Sequence, residues 1–252
     1  FGVFTEVFSY GELDTGLEYG PGSNTLFFKF YVSSDLGEDA IGAIGQRLPS
    51  GIIETTAVSG YDGEYGGLAF FPPGYANAGN LVTGAYSETY TLWTHSVTPD
   101  GDGSFTVNGA GTLYADFTSA DEYYVSDLVF ITRGPLAGNL MVALYDGNNS
   151  LVYFPIGADG LPVGGVDVTP TVFASGTTGA WGVAVDPVSD NIWMIDYDET
   201  GGVAMTQIGL RARTGPTPTN AIPTMSVYGL ILSALCLVLL ARPRISRQLK
   251  RR

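Results

Sequence analysis

A repeat ending on tyrosine narrows what this chain can fold into more than any other feature. Asn80-Leu81-Val82-Thr83-Gly84-Ala85-Tyr86, Asn139-Leu140-Met141-Val142-Ala143-Leu144-Tyr145 and Asn191-Ile192-Trp193-Met194-Ile195-Asp196-Tyr197 share one Asn-to-Tyr spacing. A weaker first copy is Thr25-Leu26-Phe27-Phe28-Lys29-Phe30-Tyr31. Each copy follows a short apolar run: Gly16-Leu17-Glu18-Tyr19, Gly67-Leu68-Ala69-Phe70, Asp127-Leu128-Val129-Phe130 and Gly182-Val183-Ala184-Val185. The second and third copies continue alike, with Leu92 and Leu151 at the same offset beyond Leu81 and Leu140. Asp102-Gly103 and Asp159-Gly160 then mark hairpins, where the chain needs residues tolerant of positive φ.

A unit of roughly 50 residues cannot bury its apolar faces alone and must stack on its neighbours. Four antiparallel strands per unit is the pattern of a β-propeller blade. The 35 glycines and 14 prolines favour short strands and tight turns over a helical bundle. The sequence therefore predicts an all-β domain of propeller-like blades over residues 1–213, with a β-sandwich as the alternative. Tyr31, Tyr86, Tyr145 and Tyr197 should occupy equivalent places in successive units. Asn80, Asn139 and Asn191 should sit ahead of their strands, their amides capping the turns. Four blades are few, so the reading expects an incomplete propeller, with Phe1–Tyr10 the remnant of an earlier unit. The start at Phe1 is read as processed or truncated.

Charge divides the chain. All 25 acidic residues precede Asn220, where only Lys29, Arg47, Arg133, Arg211 and Arg213 are basic. Such an acidic body argues against nucleic acid as a partner, because phosphate binding needs a positive surface. Beyond Asn220 there is no acid, and six bases close the chain: Arg242, Arg244, Arg247, Lys250, Arg251 and Arg252. The join is Thr214-Gly215-Pro216-Thr217-Pro218-Thr219-Asn220. Its prolines forbid helix interior and central strand alike, so 214–221 reads as an extended linker. From Ile222 to Ala241 the chain carries no charge. As a helix this stretch would reach about 30 Å, the thickness of a bilayer core. Positive charge stays cytoplasmic, so 222–241 is expected to span the inner membrane, with 242–252 inside and the body outside.

This tail resembles the IPTL-CTERM protein-sorting domain, a relative of the PEP-CTERM signal of Gram-negative bacteria. The box is Ile222-Pro223-Thr224-Met225, the second element is Tyr228-Gly229-Leu230, and an apolar run and basic cluster follow. Met225 and Tyr228 depart from the family's Leu and Trp. The resemblance implies recognition by an exosortase-like sorting enzyme at Ile222, Pro223, Thr224, Met225, Tyr228 and Gly229. It implies an inner-membrane precursor that is then released to the cell surface or medium. Pro223 disfavours helix at the residue before it, which keeps the box extended and open to an enzyme. Cys236, the only cysteine, falls within the apolar run and reads as a small apolar filler, so the body holds no disulfide.

The body shows no nucleophile elbow, phosphate loop or zinc spacing. His95, the sole histidine, is expected near a strand end in a surface or packing role. Asp186-Pro187 through Asp196 loosely resembles a strand pair of NHL and lactonase-like propellers. The resemblance implies a metal held by acids on inner strands, for which Glu18, Asp127, Asp186 and Asp196 are the candidates. Asp100-Gly101-Asp102-Gly103-Ser104 alternates oxygen ligands like the start of a calcium loop but lacks the later Gly and Glu, so a hairpin turn is expected. Asp146-Gly147-Asn148-Asn149-Ser150 reads likewise. No cofactor is expected, calcium alone being left open. Tyrosines and tryptophans on loops would suit stacking on an exopolysaccharide. The function expected is binding or structural, in an exported surface protein. A metal-dependent lactonase-like or other hydrolase is the alternative.

Overall fold

The computed structural model describes residues 13–32, 41–57, 66–84, 91–117, 124–145, 149–175, 179–198 and 202–208. All of them lie in the first of two compact units, Phe1–Arg211 and Ala212–Arg252. The expected linker, the Ile222–Met225 box, Tyr228, Gly229, the apolar run and the basic cluster Arg242–Arg252 lie outside the described residues. Among the described residues no helix is long and apolar enough to cross a membrane.

The described chain is all-β, in four antiparallel sheets whose strands follow chain order. The first sheet is β1 (Leu13–Tyr19), β2 (Leu26–Val32), β3 (Ile41–Arg47) and β4 (Ile53–Ala57). The second is β5 (Leu68–Phe70), β6 (Leu81–Gly84), β7 (Thr91–Pro99) and β8 (Phe105–Asp116). The third is β9 (Tyr124–Ile131), β10 (Asn139–Tyr145), β11 (Asn149–Pro155) and β12 (Thr171–Ser175). The fourth is β13 (Ala180–Val185), β14 (Ile192–Asp198) and β15 (Gly202–Ile208). Each apolar run read from the sequence is a first strand, or part of one, and each Asn-to-Tyr segment is a second strand. Tyr31, Tyr145 and Tyr197 accordingly sit on β2, β10 and β14. Tyr86 lies outside the described residues.

Successive side chains of a strand point to opposite faces, and here both faces are covered. Along β10, Leu140, Val142 and Leu144 pack into the core shared with the second sheet. Met141 and Ala143 enter the core shared with the fourth. β6 divides in the same way, Val82 to one side and Leu81 to the core with the first sheet. Burial on both faces explains why these strands read as continuous apolar runs instead of alternating ones. Each fully buried Leu, Val or Met contributes about 1.5–3 kcal/mol.

The turns follow the expected chemistry in most places. Gly103 has φ +95° in the hairpin between β7 and β8. Asn139 Nδ2 donates to Leu136 O at 2.7 Å, the turn cap expected of it, although Asn139 itself opens β10. Asp159-Gly160 departs from expectation. Gly160 does take φ +79°, but the fourth strand of that sheet starts only at Thr171. The intervening chain goes elsewhere, because its backbone pairs with β8: Asp116 N donates to Val166 O (2.8 Å) and Val168 N donates to Asp116 O (2.9 Å). His95 lies within β7, not at its end, and is 1% exposed.

Candidate functional site: a carboxyl pair where the first strands meet

The first strands of the four sheets come together: β1 approaches β5, β9 and β13, β5 approaches β9, and β9 approaches β13. Small residues make the approach possible. A Cβ on Gly67, just ahead of β5, would stand 2.4 Å from Asp127 Cα, and one on Gly84 would stand 2.3 Å from a methyl of Val125. Two of the four acids singled out from the sequence meet here, Glu18 of β1 and Asp127 of β9, close enough that Glu18 raises the Asp127 pKa.

Asp127 is held from two sides. Its Oδ1 accepts from Leu128 N (2.9 Å) and its Oδ2 from Val183 N (2.9 Å) across the junction with β13. The residue as a whole is only partly buried, but its carboxyl is enclosed. That desolvation outweighs the two backbone donors and, with the charge of Glu18, pushes the Asp127 pKa up to about 7. Burial also raises Glu18. Near neutral pH the pair therefore holds and exchanges protons. Neighbouring Ser126, fully buried, donates to Ala180 O of β13 and lies 3.1 Å from Ala143 O. Sequence reading passed over Ser126; the available signal was a Ser-Asp pair inside an otherwise apolar strand.

The remaining candidates stand elsewhere. Asp186 occupies the turn after β13, where its Oδ1 accepts from Val188 N (2.8 Å) and Ser189 N (3.2 Å). Those bonds, Val188's foremost, lower its pKa. Asp196 Oδ1 accepts from Gly179 N at 3.2 Å, tying β14 to the residue before β13. Asp100 and Asp102 form the expected hairpin turn: Asp102 Oδ1 accepts from Ser104 N and Oγ, and Asp100 Oδ2 from Thr106 Oγ1. Asp146-Gly147-Asn148 lies outside the described residues, and Asn149 opens β11. His95 Nε2 lies 3.1 Å from Thr83 Oγ1, and its ring packs on Gly111, the packing role expected of it.

The chain matches no family model, the tail included, and no curated protein. Its fold is similar to Sqt1 from Chaetomium thermophilum, at 14% identity over 73% of this chain and 42% of that chain, with a TM-score of 0.47. It is similar to the periplasmic gluconolactonase PpgL of Pseudomonas aeruginosa, at 13% identity over 80% of this chain and 59% of that one, with a TM-score of 0.43. A third similar structure is a putative 6-phosphogluconolactonase from Bacteroides uniformis, at 16% identity over 77% and 56%, with a TM-score of 0.42. The chain thus spans about half the length of these proteins, and likenesses of this order assign it no activity.

The residues at the strand junction do not suit a metal ion. A hard cation wants several free carboxylate or carbonyl oxygens, whereas both Asp127 oxygens accept backbone N–H groups. Among the described residues no three His, Cys, Asp or Glu side chains gather into a possible metal site. The arrangement is suited to joining β9 to β13 and to taking up protons.

Proposed function

We propose that this is an exported surface protein in which a propeller-like body binds or builds structure and a C-terminal signal directs sorting and anchoring. The observation that carries this reading is the acid-free end, where Ile222-Pro223-Thr224-Met225 precedes an uncharged run and six bases. Sheets whose strands follow chain order, packed one on the next with their first strands together, support the propeller-like reading of the body. An exosortase-like enzyme and the inner membrane are the partners of the tail. Exopolysaccharide is the partner proposed for the body, where Tyr19 stands 62% exposed beside Glu18. A phenol in that setting can stack on a sugar ring.

The test is mass spectrometry of the mature protein from native cells, with the matching sorting enzyme present and deleted. Loss of residues beyond the Ile222–Met225 region only when the enzyme is present is the expected result. A tail intact through Arg252 in both strains would leave an anchor and remove the sorting signal. The hydrolase alternative draws on the meeting of Glu18 and Asp127 on first strands. It requires calcium or another divalent ion to bind the body at that pair, and calorimetric titration showing no binding that depends on Asp127 would eliminate it.

A further inference from the structure

We infer that Tyr114 and Asn77 hold a buried water molecule in the contact between the β5–β6 and β11–β12 connections. Tyr114, on β8, is 1% exposed and packs edge-on against Phe71, which also meets Tyr75 and Phe130. Its hydroxyl has no hydrogen-bond partner among the described residues. Asn77, in the β5–β6 connection, donates from Nδ2 to Gly160 O at 3.3 Å. That bond sets the orientation of the amide and leaves Oδ1 buried with no partner among the described residues.

The two oxygens belong to one place. Asn77 Oδ1 lies over Gly160, where a Cβ would come within 1.8 Å of it. Tyr114 lies close enough to Asp159, the preceding residue, and to Tyr75 for both to raise its pKa further, beyond the main effect of burial. The same two connections are also joined by Ala76 N donating to Ala158 O at 3.1 Å.

Folded proteins rarely leave buried polar atoms unsatisfied, and ordered water is the usual partner where protein groups do not reach. An amide oxygen only accepts, whereas a phenol donates and accepts. Water can accept from Tyr114 Oη and donate to Asn77 Oδ1, and the Tyr75 phenol offers a further partner. An ion suits the place less well. The one formal charge nearby, on Asp159, is exposed and already accepts from Leu161 N at 3.0 Å. Such a water would complete the polar join between the second and third sheets.

A crystal structure of the full chain should show solvent density within about 2.7–3.0 Å of both Tyr114 Oη and Asn77 Oδ1. In thermal melts of the full chain in detergent, Tyr114→Phe should lower Tm by about 2–4 °C. The same substitution should cost less in an Asn77→Ala background, where the water has already lost its acceptor. A dry contact, or a direct Tyr114–Asn77 hydrogen bond, would overturn the inference. So would an unchanged or higher Tm for Tyr114→Phe, since deleting an unsatisfied hydroxyl carries no penalty.

Discussion

Asp127 Oδ2 and Val183 N, 2.9 Å apart, join the first strand of the third sheet to the first strand of the fourth. The bond puts a carboxyl where the chain offers little solvent, so its proton is coupled to folding. Glu18 on β1 is the charged group that faces it. β13 and β5 carry no titratable side chain.

That coupling has a definite sign. An ordinary Asp titrates near 3.9 in an unfolded chain, whereas folding raises Asp127 to about 7. Between those values the folded state binds more protons than the unfolded one, so this contribution to stability falls as pH rises. The loss begins near pH 4 and is complete somewhat above pH 7, and the raised pKa of Glu18 acts in the same direction. Urea midpoints measured from pH 4 to 8 should therefore decline less steeply for Asp127→Asn than for the parent. A parent whose stability climbs through that window more steeply than the variant's would refute the assignment.

Gly67→Ala should destabilise by at least the 1–3 kcal/mol typical of overpacking. The Cβ would meet the Asp127 backbone, which has no flexible end to give way. Gly101→Ala, with open space around it, should stay within about 0.5 kcal/mol. Chemical denaturation of both variants separates crowding at the strand junction from a general intolerance of substitution.

Leu140→Ala and Met141→Ala should each cost about 2–5 kcal/mol. The two side chains point to opposite faces of β10, and both are fully buried. A sandwich whose sheet faced water on one side would show one costly and one mild substitution, so the pair of denaturation curves tests the stacking of sheets directly.

Gln46→Leu should cost about 1–3 kcal/mol. Gln46 Nε2 donates to Phe105 O (2.7 Å) and Phe105 N donates to Gln46 Oε1 (2.9 Å), so one amide serves both backbone groups of a residue in the next sheet. Leucine matches the shape and leaves both groups unpaired in a buried place. Equilibrium unfolding measures the loss directly.

Pro223→Ala with Thr224→Ala should leave the uncut precursor in the inner membrane, because insertion needs only the apolar run and the bases. Fractionation followed by intact mass is the measurement. Release of a body truncated as in the parent would show that the box is not what the sorting enzyme reads.

The sequence by itself determined the all-β class, the four-unit order and most strand positions. Those properties follow from local patterns: apolar runs of strand length, Asn-led segments and turn glycines such as Gly103 act over a few residues. It likewise placed the uncharged run and basic end. Pairing across sheets was decided only by tertiary structure. Glu18 and Asp127 were legible as acids on first strands, but their meeting, and the exclusion of Asp186 and Asp196, depends on which strands converge. Ser126, Gln46, Asn77 and Tyr114 carry no local mark of their roles, because their partners lie far along the chain. The long β11–β12 connection was misread for the same reason. Asp159-Gly160 turns the chain as its residues require, but where the chain goes next is set by the free backbone groups of β8, and no short-range pattern in the sequence records them.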